Sequence, residues 1–174
     1  SEYAALATSL GLDVLLEALP ALPPDIRVWI GSDGPDTERL KLRHAGDPRL
    51  EWLGRLSDLE KRRRLAAARI FCAPSIHGES FGVVLLEAMA AGAAIVASNL
   101  SGYSLVARAD RDALLVDPRD VTALAAGLNR VLDDPELHGA LVASGRRRAE
   151  EFSMDHLAER YVDLHVANEL PCNW

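Results

Sequence analysis

Short apolar runs separated by segments of helical period set the rhythm of the first two-thirds of the chain. Ile26 to Ile30, Leu50 to Leu53, Ile70 to Ala73, Ala94 to Ala97 and Ala113 to Val116 are mostly apolar at consecutive positions. That is how strands buried on both faces of a parallel sheet read. Between them, Thr37 to Ala45, Ser57 to Ala68, Gly82 to Ala91 and Gly102 to Ala107 carry helical period, with Leu59 and Leu65 expected to face inward. Alternating β and α segments predict an α/β fold built on a doubly wound parallel sheet. From Asp120 the strand signals stop. Val121 to Leu132, Pro135 to Glu151 and Met154 to Ala167 read as three consecutive helices, with Asp120, Asp134 and Ser153 at N-cap positions. One domain over residues 1–174 is expected, ending in a helix over 153–168.

Composition narrows the function classes. With 174 residues and 49% apolar content the chain can bury a sizeable core. Nineteen basic against 26 acidic residues give a net charge of −7, which repels phosphate backbones and argues against a nucleic-acid reader. The longest apolar run, Val83 to Ala97, is broken by Glu87 and Gly92 and falls short of the ~18–20 residues that span a bilayer. The first twenty residues carry Glu2 and Asp13 and no basic leader, unlike a secretory signal. Cys72 sits in an apolar run and Cys172 in the tail, so two reduced thiols and a cytoplasmic location are expected. The basic runs Lys61 to Arg64 and Arg146 to Arg148 fall on expected helices and read as solvated faces.

In a doubly wound sheet, ligands bind where the strands' carboxyl ends emerge. The segments that follow the strands there are Gly31 to Gly34, Gly54-Arg55, Pro74 to Gly82 and Ser98 to Gly102, rich in glycine, hydroxyls and acids. The stretch from Gly78 to Gly92, GESFGVVLLEAMAAG, is the most informative. Between Phe81 and Ala107 the only Asp, Glu, Lys, Arg or His is Glu87, set among Val83, Val84, Leu85, Leu86 and Met89. Such a helix reads as buried all round. A buried carboxylate needs donors: an internal Arg, backbone amides, or a pair of ligand hydroxyls. Spacing favours the hydroxyls. A helix starting near Phe81 or Gly82 offers first-turn amides to phosphate oxygens. Glu87, five residues on, lies roughly 7–8 Å further along the axis, the displacement of a sugar ring from a diphosphate. Glu79, before the helix, projects from the loop towards the far side of the phosphate.

Glu79 and Glu87 form E-x7-E within GESFG-x4-EAMA-x-G, followed by Ile95-Val-Ala-Ser98. This resembles the donor-binding half of the retaining glycosyltransferases called group 1 or family 4, most closely their phosphatidylinositol mannosyltransferases. The resemblance runs from about Leu12 to Ala167 and includes Gly31 to Pro35, Trp52 to Arg55, Ala73 to Ser75 and Ala113 to Pro118. It implies a Rossmann-like domain, one half of a GT-B-type fold, with the active site in a cleft against an N-terminal acceptor-binding domain. It also implies that Glu87 binds the ribose hydroxyls and that Glu79, the catalytic candidate, faces the transferred sugar. The amides of Ser80, Phe81, Gly82 and Val83 would hold sugar hydroxyls and diphosphate, with Gly78 and His77 beside them and Arg55 near the base. The donor would be a GDP- or UDP-hexose, with GDP-mannose favoured, and no metal or other cofactor is required. The last helix would pack across the cleft, or alone onto its own domain or a second copy. Membrane association would come through the partner domain, and the acceptor would be a lipid or a saccharide.

One departure is expected to matter. The family opens this domain with a strand and Gly-Arg-x4-Lys-Gly, whose cations neutralise the diphosphate. Aligned on Gly11, this chain has Ala5 and Leu10 at those positions, in an atypical segment over residues 1–11. Little or no transfer by the isolated chain is expected. Two rival classes remain: a degenerate, non-catalytic binding or interaction domain, and a serine hydrolase. Gly78 to Gly82 also matches G-x-S-x-G, with Asp117 or Asp133 and then His138, His156 or His165 following in order. Ser80 comes seven positions after Ala73, however, and not on the sharp turn that an elbow needs. Asp110-Arg-Asp112 has D-x-D spacing and reads as a solvated loop before a strand. His77 reads as a sugar contact or a hydrogen-bonded loop histidine, and Arg55 as a nucleotide contact or a partner of Asp33 or Asp58.

Overall fold

A computed structural model describes residues 4–7, 11–31, 34–77 and 81–153. Six strands, β1 (Ala4–Ala7), β2 (Arg27–Ile30), β3 (Leu50–Trp52), β4 (Ile70–Ala73), β5 (Ala94–Ser98) and β6 (Leu114–Val116), form one parallel sheet in the order β3-β2-β1-β4-β5-β6. Helices α1 (Leu12–Ala18), α2 (Thr37–Arg43), α3 (Asp58–Ala67), α4 (Val83–Ala91) and α5 (Ser101–Val106) connect the strands, and α6 (Val121–Asp133) and α7 (Pro135–Glu151) follow. Strand order reverses between β1 and β4, so the ligand crevice of a doubly wound sheet opens between their carboxyl ends.

The five expected strands are all present within a residue or two of their apolar runs. The alternation of side chains along a strand divides them between two cores. Ile70, Cys72, Ala94 and Val96 face α1 and α6, with Leu15, Leu124 and Leu128 against them. Phe71, Ala73, Ile95 and Ala97 face the other way, onto Leu85, Met89 and Tyr103 of α4 and α5. Both faces of β4 and β5 are therefore dry, which is why these runs show no polar alternation. Asp120 and Asp134 cap α6 and α7 by accepting from Ala123 N and Leu137 N, at 2.8 and 2.9 Å. Residues 154–168 of the expected last helix, which Ser153 would cap, and Cys172 lie outside the described residues. Cys72 is wholly buried, and burial alone pushes its thiol up to about 12.

The atypical start of the chain contains the sheet's central strand. Ala4–Ala7 pairs with β2 on one side and β4 on the other. Alanine has low strand propensity, but Ala5 and Ala7 are 2% exposed between two β neighbours, and tertiary pairing overrides the local preference. The next glycine completes the junction. Gly11, the N-cap of α1, has φ +70°, and a Cβ there would stand 2.0 Å from the carbonyl oxygen of Pro74. Only glycine lets α1 start against the segment leaving β4.

Three expectations about charge and burial are corrected. Leu59 is 53% exposed, whereas Leu65 is buried as expected; α3 turns only the latter face to the sheet. The basic runs are not simply solvated, because Arg64 pairs with Glu51 and lies over the Trp29 ring, and Arg148 donates to Val106 O at 2.6 Å. Asp112 is not in a solvated loop: it is wholly buried while Asp110 is exposed. Its carboxylate accepts from the Arg108 amide and guanidinium at 2.7–3.0 Å and from Ser144 Oγ at 2.7 Å, with Arg148 Nε 3.9 Å away. It ties the turn before β6 to α7. Burial raises the Asp112 pKa, but the bonds from Arg108 and Ser144 and the charge of Arg108 outweigh that and leave it below the usual carboxylate value.

A group with a lowered folded-state pKa stabilises the fold above its unfolded value and loses that contribution as pH falls through the folded one. Asp112→Asn is expected to lower unfolding free energy at pH 7 by about 2–4 kcal/mol. The gap to the parent should narrow on acidification below about pH 4. Urea unfolding at the two pH values measures both.

Candidate functional site

The segment between β4 and α4 is pinned at both stems. On the β4 side, Pro74 lies against Gly11, and Ser75, wholly buried, hydrogen-bonds Tyr103 at 3.0 Å. On the α4 side, the Gly82 amide donates to Gly102 O at 3.2 Å and the Val83 amide to Phe81 O at 2.8 Å. Two of the four amides expected to receive a ligand thus have backbone acceptors. His77 and Phe81 are exposed on the inner ends of these stems. Gly78, Glu79 and Ser80, including the catalytic candidate, lie outside the described residues.

Glu87 departs from its expected surroundings. Only Leu85, Ala88 and Met89 of α4 are buried, and Glu87 itself keeps 45% of its side-chain surface exposed. The helix is apolar all round, yet one flank borders an open groove rather than core, and Val83 on the first turn is 55% exposed. Burial therefore does not force Glu87 to find a ligand. Its partner is Lys61 of α3, which bonds Oε2. This is the internal basic partner among the alternatives, supplied by lysine and not arginine. A carboxylate has further lone pairs for hydroxyl donors.

Two cavities flank these residues. One of about 640 Å3 lies between α3 and α4, with Leu65, Ala90 and Ala91 beneath and Asp58, Lys61 and Glu87 at its edge. The other, about 290 Å3, sits at the sheet's order reversal among Gly11, Gly34, Thr37, Ile76 and His77. Sequence reasoning missed Asp58 and Lys61, although their spacing with Leu65 at i, i+3 and i+7 put all three on one helical face. It missed Tyr103 as well. Arg55 is brought to neither cavity: it is exposed and pairs with no carboxylate among the described residues, with Asp33 outside them. Ala5, at the position of the family's arginine, is buried within β1 and supplies no cation to the carboxyl edge, while Leu10 lies outside the described residues. Phe81, Val83 and Leu105 leave large apolar surface exposed, 39–59%.

A family model described as glycosyl transferases group 1 matches residues 4–134. The chain is 40% identical over 161 residues to a phosphatidyl-myo-inositol mannosyltransferase of Mycolicibacterium smegmatis, covering 89% of this chain and 41% of that protein. It is 32% identical over 171 residues to an alpha-maltose-1-phosphate synthase of the same organism, covering 44% of it. The chain thus spans about two-fifths of the length of these curated relatives. Among solved structures, sucrose-phosphate synthase from Thermosynechococcus elongatus superposes with a TM-score of 0.77 at 27% identity over 97% of this chain and 47% of that one. Anabaena Alr3699/HepE in complex with UDP superposes with a TM-score of 0.81 at 20% identity, over 97% of this chain and 49% of that one, and so shares the fold. The order of the sheet, the glutamate on the second turn of α4 and the match over residues 4–134 lead to one assignment: the chain belongs to the group 1 glycosyl transferases.

Proposed function

We propose that this chain is the donor-binding half of a retaining hexosyltransferase, which holds a nucleotide sugar along the carboxyl edge of its sheet. The carrying observation is the place of Glu87, exposed on the second turn of α4 at the edge of the groove between α3 and α4. Five residues separate it from Gly82, about 7.5 Å of helix, so a ribose at Glu87 leaves its diphosphate near the start of α4. Ribose hydroxyls donate to the carboxylate alongside Lys61, and the nucleoside lies over the groove. Diphosphate and sugar then reach the inner stems, with His77 and Phe81 beside them and Glu79 facing the sugar.

The name of the mannosyltransferase relatives supports mannose, and with it GDP-mannose, as donor. In the reaction, the anomeric carbon's bond to phosphate breaks as its bond to the acceptor oxygen forms on the same face of the sugar. The acceptor's proton passes to the departing phosphate. The acceptor itself, a lipid or a saccharide, is bound by a partner domain that packs on the exposed apolar surface around Phe81, Val83 and Leu105; without it, a second copy of the chain is the alternative cover.

Calorimetric titration with GDP, UDP and ADP tests donor binding. Binding of GDP or UDP is expected, with at least about a tenfold loss in Glu87→Ala, the cost of a charge-assisted hydrogen-bond pair. Absence of binding for every nucleotide would support a non-catalytic interaction domain, the reading that buried Ala5 favours. In a mass-detected transfer assay with GDP-mannose these 174 residues are expected to show little or no product, because Ala5 and Leu10 offer no cation where the resembled family has Arg and Lys; robust turnover would overturn that. A fluorophosphonate probe is expected to leave Ser80 unlabelled, since β4 ends at Ala73 and α4 begins at Val83, and labelling would revive the hydrolase class.

A further inference from the structure

One buried tyrosine touches both stems of the segment between β4 and α4. Tyr103 of α5 is wholly buried and heads the largest fully buried side chains. Its hydroxyl lies 3.0 Å from Ser75 Oγ, also wholly buried, on the stem leaving β4. Its ring reaches the other stem, where a Cβ on Gly82 would stand 3.1 Å from Tyr103 Cδ1, and the amide of Gly82 bonds the carbonyl of Gly102 at 3.2 Å. A rigid ring therefore spans from stem to stem, anchored at one end by a hydrogen bond and at the other by close packing on Gly82, where a Cβ would force the ring to shift by a few tenths of an ångström.

Stability alone does not explain the two hydroxyls. A phenylalanine over an alanine would fill nearly the same space without desolvating two polar groups, and such paired replacements are close to neutral. A hydrogen bond adds a fixed distance and direction, which loose apolar packing does not. That matters where two stems must keep one separation to present groups to the same ligand.

We propose that Tyr103 is a positioning residue. Through Ser75 and Gly82 it holds residues 74–77 and 81–83 at the separation that accepts the diphosphate of a nucleotide sugar. Its role in binding rests on the donor reading given above; its bracing of the stems does not.

Two measurements on the full chain separate these claims. Tyr103→Phe keeps the ring and removes the hydroxyl, and Ser75→Ala removes the other partner. In either variant, amide exchange at Gly82 and Val83 is expected to quicken by about fivefold or more, the worth of one buried hydrogen bond, while the amides of α6 change less than about twofold. In calorimetry, GDP affinity should fall by about fivefold and GMP affinity by less, so that the ratio of the two shifts. Unchanged exchange at Gly82 and Val83 overturns the brace, as does equal acceleration throughout the chain. Unchanged GDP-to-GMP selectivity with quickened exchange overturns its part in diphosphate binding. A parent chain that binds no nucleotide overturns the donor reading and the binding role together, and the exchange pattern still decides the brace.

Discussion

The pairing of β1 between β2 and β4 is the constraint on which the rest of the structure depends. Parallel sheets occur with both faces covered, and Ala4–Ala7 joins the β3-β2 half of the sheet to the β4-β5-β6 half. Gly11, at the start of α1, brings that helix against Pro74. The segment between β4 and α4 is thus held on its β4 side by the glycine that starts α1. The cavity at the order reversal, bounded by Gly11, Gly34 and His77, follows from the same junction.

Two carboxylates show how burial decides what an ion pair is for. Asp112 is sealed from water with Arg108 and Ser144 bonded to it, and its loss strands partners that tie α7 to the sheet. Glu87 and Lys61 form a comparable contact with 45% and 37% of their side chains exposed. Exposed pairs contribute roughly 0–1 kcal/mol, so the Glu87 carboxylate can admit new donors at little cost. The first pair suits architecture and the second exchange with a ligand.

Much of this was legible in the sequence, for identifiable reasons. Strands β4 and β5 are dry on both faces, so their runs are unbroken and easily read. The caps of α6 and α7 announce themselves because only Asp, Asn, Ser or Thr satisfies a helix's first amides efficiently. The spacing from Gly82 to Glu87 is local and survives any tertiary arrangement. What was misread depends on neighbours far along the chain. The alanines of β1 look featureless because their strand character is imposed by two flanking strands. Glu87 was read as buried because its helix is apolar, but an apolar helix can still border a groove. Arg55 stands after β3 as expected and lines neither of these two cavities.

By itself the sequence determined the α/β alternation and the family, because these rest on periodicity, capping and a motif whose parts are close in the chain. Only the tertiary structure decided that Lys61 meets Glu87, that Asp112 is buried, and that Tyr103 reaches across to Ser75 and Gly82. Each of these joins residues 21 to 32 or more positions apart in at least one contact. At such separations the meeting is set by how helices lie on the sheet, which no local pattern encodes.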